Sequence, residues 1–207
     1  MARKINKVWL LMSICVSLWS LGLGLMASAP SEKISIFYLK YIHYVGAIFI
    51  PAVYLHFTLL LIGKDIVKKR LIITSYVVAL IFLISNFMGL FATVKIKPPF
   101  NYYTHPLYFY PLYTLLFMVA VGYSLFLMLR AYRNIFGLRK EQIKYQVLAT
   151  IVGFGGGSSA FFYVFNIPIL PIGMYVMVSY NLIMSYAIIR YRLMDVRVAI
   201  TRFGIFA

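Results

Sequence analysis

The chain has 207 residues, of which 63% are hydrophobic and only 12% charged, with a net charge of +16 and a mean hydropathy of +0.90. A soluble domain is nearer half apolar and a quarter charged, so this composition excludes a water-soluble globule and places the chain in a bilayer. The positive charge does not point to nucleic acid, because the basic residues sit in short clusters between apolar runs and leave no soluble face for a basic groove.

Six apolar runs, 8–29, 36–62, 71–94, 109–129, 145–165 and 170–190, are each long enough to span a hydrocarbon core of roughly 20 helical residues. Backbone groups in lipid must be satisfied internally, and the ten-residue alternation of a barrel is missing, so the runs are read as helices. The expected fold is all-α: one polytopic transmembrane helix bundle of six spans over 1–207, with 191–207 as a cytoplasmic output segment. Arg3, Lys4 and Lys7 precede the first span, and Lys64, Lys68, Lys69 and Arg70 join the second to the third. Arg130, Arg133, Arg139, Lys140 and Lys144 join the fourth to the fifth, and Arg190, Arg192, Arg197 and Arg202 follow the sixth. The other side holds only Lys33, Lys40, Lys95 and Lys97. The basic side stays in the cytoplasm, so both termini are expected there, in the inner membrane of a cell, and the even number of spans agrees.

The first span opens on "MARKINK" and closes on "ASA", which imitates a secretory signal peptide. Its apolar stretch is longer than a signal core, so an uncleaved span is expected. Ser13, Ser17, Ser20, Gly24 and Ala27 recur at near-heptad steps on one face. Such a seam packs against another helix, in this bundle or in a second copy, with the bundle preferred. Trp9 and the Tyr/Phe-rich stretch 100–113 are expected as anchors at opposite interfaces. Cys15 is the only cysteine, so no internal disulfide constrains the fold.

The second span carries Lys40, His43 and His56. Lys40 is near enough to the outer boundary to extend its ammonium out of the lipid. His56 lies deeper and should face the bundle, because burying an unpaired polar group costs about 2–7 kcal/mol. Asn86 of span three and Asn181 of span six are its candidate partners; an interhelical bond and a ligand contact both fit. Pro51 frees the carbonyl of Ala47 and predicts a kink.

The loop "KPPFNYYTHPLYFYPLY" predicts an ordered lid in the outer interface, in which Tyr102, Tyr103, His105, Tyr108 and Tyr110 are either belt residues or an aromatic mouth for a hydrophobic or lipid-like ligand. The outer turn "NIPILPIG" is placed to close the same mouth. In span five, "GFGGGSSA" puts Gly153, Gly155, Gly156 and Gly157 within five positions, each costing a helix about 1 kcal/mol. Close packing of a neighbouring helix would offset that, and a cavity-lining break is the alternative. No Lys-Ser/Thr follows, so this is not a phosphate loop.

Catalytic chemistry finds no foothold. The only acids, Glu32, Asp65, Glu141 and Asp195, lie in loops or at helix ends, and the three histidines have no metal spacing, so no metal, cofactor or enzymatic activity is expected. Span six has no lysine before its terminal arginine, which excludes a retinal Schiff base there.

Three stretches taken in order, "IFIPAVYLHFTLLLIG", "RKEQIKYQVLATIVGFGGG" with its Gln-x-x-Tyr-Gln, and "ILPIGMYVMVSYNLIMSYAIIRYRLMDVRVAITR", resemble the multi-span N-terminal sensor region of bacterial 7TM histidine kinases. The resemblance implies a signal-input module, usually within a dimer, that passes a helix movement to cytoplasmic kinase domains. Arg190, Arg192, Asp195 and Arg197 would then begin the output segment, the arginines held at the anionic inner leaflet. Two departures stand out: the family pattern usually starts with one more apolar helix, and no kinase segment follows Arg202. A truncated region, or a stand-alone relative served by a separate kinase, is therefore expected. The competing readings are a small transporter or channel subunit, disfavoured by the lack of membrane acids and internal repeats, and a structural assembly partner.

Overall fold

A computed structural model describes residues 2–176 and 178–191; the side chains of Ala2, Arg3, Val178 and Asn181 are not among those described. The elements are α1 (Ala2–Ala27), α2 (Glu32–Tyr38), a π-helical turn (Leu39–His43), α3 (Tyr44–Ala47), α4 (Ile50–Leu61), α5 (Lys69–Phe87), β1 (Ala92–Lys97), β2 (Phe100–Pro106), α6 (Tyr110–Asn134), α7 (Leu138–Val164), α8 (Gly173–Val176) and α9 (Val178–Tyr191). Among the described residues, five stretches are long and apolar enough to cross a membrane: Lys4–Ala27, Glu32–Leu61, Lys69–Phe87, Tyr110–Asn134 and Leu138–Val164. The sixth predicted span falls on α8 and α9, where the described residues include an apolar helical stretch, Leu182–Tyr191. Large apolar side chains such as Val77, Leu80, Ile81 and Ile84 of α5 stay exposed, as lipid-facing surfaces do.

Two expectations need correction. The third span does not run to 94: α5 stops at Phe87, where Gly89 takes a positive φ of 75° and Leu90 N–H bonds back to the Ser85 carbonyl, a glycine-terminated helix end. Nor is the described fold all-α. The outer loop is an antiparallel hairpin, pairing Ala92 with Pro106, Thr93 with His105, Val94 with Thr104 and Lys95 with Tyr103. "TVKIK" alternates, and Pro98–Pro99 cannot continue a ladder, so the chain turns there.

Helix α1 crosses the second stretch closely because two glycines let it. A Cβ on Gly22 would meet the backbone of His43 at 2.4 Å, and one on Gly46 would meet the Cys15 carbonyl at 2.3 Å. The face of α1 that packs inward is Ile5, Val8, Met12 and Cys15, all buried. Ser13, Ser17, Ser20 and Gly24 lie on the exposed face instead, so the seam expected to pack within the bundle does not. Trp9, expected as an interface anchor, is half-buried, with its ring 5.4 Å from Phe57 and 6.2 Å from Tyr180.

Pro51 lies in the first turn of α4, after a break at Ile48–Phe49. The Ala47 carbonyl it frees accepts from the Tyr113 hydroxyl at 2.8 Å. The core has two parts. The hairpin end is aromatic, built on Tyr44, Phe91, Tyr103, Tyr110 and Tyr113; the opposite end is mainly aliphatic, with Val8, Val53, Leu59, Leu60, Met128 and Ile143.

Candidate functional site

Where the two cores meet, a cavity of about 100 Å³ opens between α1, α3, α4, β2, α6, α7 and α9. That is room for roughly seven waters, at about 15 Å³ each on this measure. Its walls include Met12, Trp19, Leu23, Tyr44, Phe117, Phe154 and Phe161, and no Lys, Arg, Asp or Glu among the described residues lines it. A shallower cleft of about 390 Å³ shares Val16, Trp19, Leu23 and Tyr180 with it, and adds Pro99, Phe100, Leu170, Pro171 and Ile172. The hairpin tip and the "NIPILPIG" turn thus flank one lateral opening. An apolar chamber with a few convergent polar groups is the usual form of a small-ligand site.

His43 lines the cavity while only 4% exposed. The π-helical turn inserts one extra residue ahead of it, and Gly22 lets α1 close over it, so its Nδ1 donates to the Trp19 carbonyl at 2.9 Å. Its ring meets Tyr44 edge-on at 4.6 Å. The Tyr44 hydroxyl donates to Thr104 Oγ1 at 3.3 Å, and that hydroxyl turns to Met26 Sδ at 3.8 Å. The hairpin is held down by Lys97, whose Nζ donates to the carbonyls of Thr104, Tyr163 and Val164 at 3.0, 3.0 and 2.9 Å. It thereby caps the C-terminal end of α7, where a cation also suits the helix dipole. Burial, with Lys95 adding to it, pulls the Lys97 ammonium below its usual range. The Tyr163 hydroxyl returns the contact by donating to the Pro98 carbonyl.

On the far wall, the glycine-rich stretch of α7 takes α8 and α9. A Cβ on Gly153 would meet the Tyr180 ring at 2.7 Å, and one on Gly156 would meet the Gly173 carbonyl at 2.5 Å. Gly157 lines the cavity, and Gly155 faces outward with open space around it. About two turns towards the opposite end, Gln146 and Thr58 are fully buried, yet Gln146 Oε1 and Nε2, Thr58 Oγ1 and Tyr180 Oη have no well-formed hydrogen bond among the described residues. Tyr54 and Thr150, which bond each other, border this group. The end of α9 is seated by Gln142, which donates to the Tyr191 carbonyl at 2.9 Å, and by Tyr145, stacked on Tyr191 at 4.9 Å.

Of the ligand-binding candidates singled out from sequence, His43, Tyr103 and Tyr110 line the cavity. Tyr102 and His105 are half-buried on β2, with His105 Nδ1 unpartnered, and Tyr108 is 84% exposed, away from the opening. Burial, then Lys95 and Lys97, lowers the pKa of His105. His56 bonds the Tyr76 hydroxyl at 3.2 Å, so its partner is neither Asn86 nor a residue of the cavity. Asn86 donates to the Lys40 carbonyl at 3.0 Å, beside the Lys40 ammonium on the Phe87 carbonyl at 3.1 Å. The side chain of Asn181 lies outside the described residues, as do Arg192, Asp195 and Arg197; Arg190, at the end of α9, is exposed. Span three does not line this cavity; with α4 and α6 it lines a separate, more open cleft of about 520 Å³ that includes Pro51, Leu55, Ser75, Val78 and Phe82. Sequence reasoning passed over Trp19, Tyr44, Tyr113 and Gln146. Gln146 had a signal, since it ends the Gln-x-x-Tyr-Gln pattern whose other two members seat α9. No group of three or more His, Cys, Asp or Glu able to hold a metal occurs among the described residues.

No curated protein and no solved structure matches the chain. The family described as the N-terminal 7TM region of histidine kinase matches residues 2–197. With its apolar helices, hairpin-covered cavity and seated final helix, this multi-pass membrane chain belongs to that sensor-region family.

Proposed function

We propose that the chain is a non-catalytic signal-input domain of the inner membrane, with both termini cytoplasmic. A hydrophobic or lipid-like ligand enters through the lateral cleft, settles in the cavity and changes how α9 sits on α7. The one observation that carries this reading is the shared wall. α1, α3, α4 and α6 close one side of the cavity, while Gly153, Gly157 and Tyr180 of the α7–α9 contact close the other. A ligand there touches the helix that leads into 192–207, the expected output segment. That segment would serve a cytoplasmic kinase, on the same chain or a separate one, within a homodimer.

The test is a chimaera in which this chain replaces the input region of a membrane histidine kinase. Gly153→Leu and Gly156→Leu, which push α9 and α8 off α7, are expected to fix phosphorylation at one extreme, whereas Gly155→Leu leaves it near wild type. Equal output from all three would reject the coupling. Labelling of Asn101→Cys from the cytoplasmic side alone would reject the orientation.

A further inference from the structure

We infer that the cavity selects an uncharged lipophile bearing a hydroxyl group, and that His43 is the residue that reads it. This deepens the sensor reading above and rests on it. The absence of charged side chains from the lining, among the described residues, disfavours a carboxylate or ammonium, because an ion there would lie unpaired in an apolar chamber. The remaining question is which neutral polar group fits, and the lining's hydrogens answer it. A carbonyl oxygen only accepts, so the 2.9 Å contact with Trp19 fixes the hydrogen of His43 on Nδ1. In the neutral ring Nε2 is then a bare acceptor, and no described residue bonds to it. Around it, Tyr44 has spent its hydrogen on Thr104, Thr104 on Met26 and Tyr113 on the Ala47 carbonyl. This part of the wall therefore asks its guest for a donor, and the unpartnered hydroxyl of Tyr180 belongs to the α9 wall instead. The indole N–H of Trp19, its ring 6.3 Å from that of His43, has no partner among the described residues and offers the reverse. A hydroxyl can donate to His43 and accept from Trp19 at once. An ether or ketone meets only the second requirement.

The chain contains two tryptophans, and Trp9 does not line the cavity. A Trp9→Phe variant in lipid nanodiscs therefore makes Trp19 fluorescence the reporter. The probes are 1-decanol, decyl methyl ether and decanoate at matched mole fractions in the membrane. Decanol is expected to shift Trp19 emission saturably at a mole fraction at least tenfold below that needed for the ether or the acid. His43→Phe is expected to bring decanol to the level of the ether. Equal potency of alcohol and ether, or a preference that survives His43→Phe, overturns the hydroxyl rule while leaving the cavity as a ligand site. No saturable shift with any of the three overturns the ligand site itself. Should His43→Phe fail to fold, nitrogen-15 NMR of the unsubstituted His43 decides. A protonated Nδ1 and bare Nε2, with the Nε2 resonance moving on addition of decanol, are expected; a protonated Nε2 overturns the proposal.

Discussion

At the hairpin end, Lys97 reaches three carbonyls, and Tyr44, Thr104 and Tyr113 each point a hydrogen at an acceptor. Between α4, α7 and α9, by contrast, Gln146, Thr58 and Tyr180 bury four polar atoms that crowd one another and Tyr54 without a well-formed hydrogen bond among the described residues. In lipid an unpaired group has no water to fall back on, so the two regions have opposite mechanical characters. The first loses hydrogen bonds if anything moves and acts as a fixed frame. The second stands to gain them if α9 shifts or rotates on α7, which makes it the natural place for movement beneath a ligand cavity.

Four perturbations would break or sharpen that contrast. Lys97→Met should cost most, since hydrogen bonds to a charged group are worth about 1.5–3 kcal/mol each. A loss of about 3 kcal/mol is expected in the unfolding midpoint in detergent, with hydrogen exchange rising first in β1, β2 and the last turn of α7. Gln146→Leu should act in the opposite direction. Removing both orphaned atoms is expected to stabilise the bundle by about 1.5 kcal/mol and to blunt the output of the chimaera. A destabilised Gln146→Leu protein would show that the amide is satisfied after all and remove half of the comparison. Tyr113→Phe strips the Ala47 carbonyl of its donor and should cost about 1 kcal/mol by the same assay. The smallest effect belongs to His105. Its pKa in the folded hairpin lies below the usual 6.5, so the unfolded hairpin takes up a proton first as the pH falls. Hairpin order is therefore complete above about pH 6.5 and weakens below it, a trend that His105→Gln should flatten in exchange measurements.

Much of this architecture was legible because hydropathy sees length. Five of the apolar runs correspond to helices long enough to cross, and the kink at Pro51 follows from ring geometry alone. The hairpin was hidden by the same averaging, which let the apolar residues of 88–94 extend the third span past Gly89. On α1 the small-residue seam and the bulky stripe of Ile5, Val8, Met12 and Cys15 share one period, so periodicity cannot say which of them turns inward. The partner of His56 was misjudged for a related reason. The π-helical turn and the break at Ile48–Phe49 both change the helical phase ahead of His56 without altering composition, and His56 meets Tyr76. His43, Tyr103 and Tyr110 stood out as polar or aromatic groups at unusual positions. Trp19, Tyr44 and Tyr113 look in sequence like any of the other aromatic residues that line a membrane boundary.

The stretch Glu32–Leu61 has 83% of its most apolar window buried, against 22–28% for the other four crossing helices. It is the axle of the molecule, touched on nearly every side, while its neighbours each show lipid a broad flank. Displacements of those neighbours are therefore best measured against this central rod, and labels for distance measurements belong on it first.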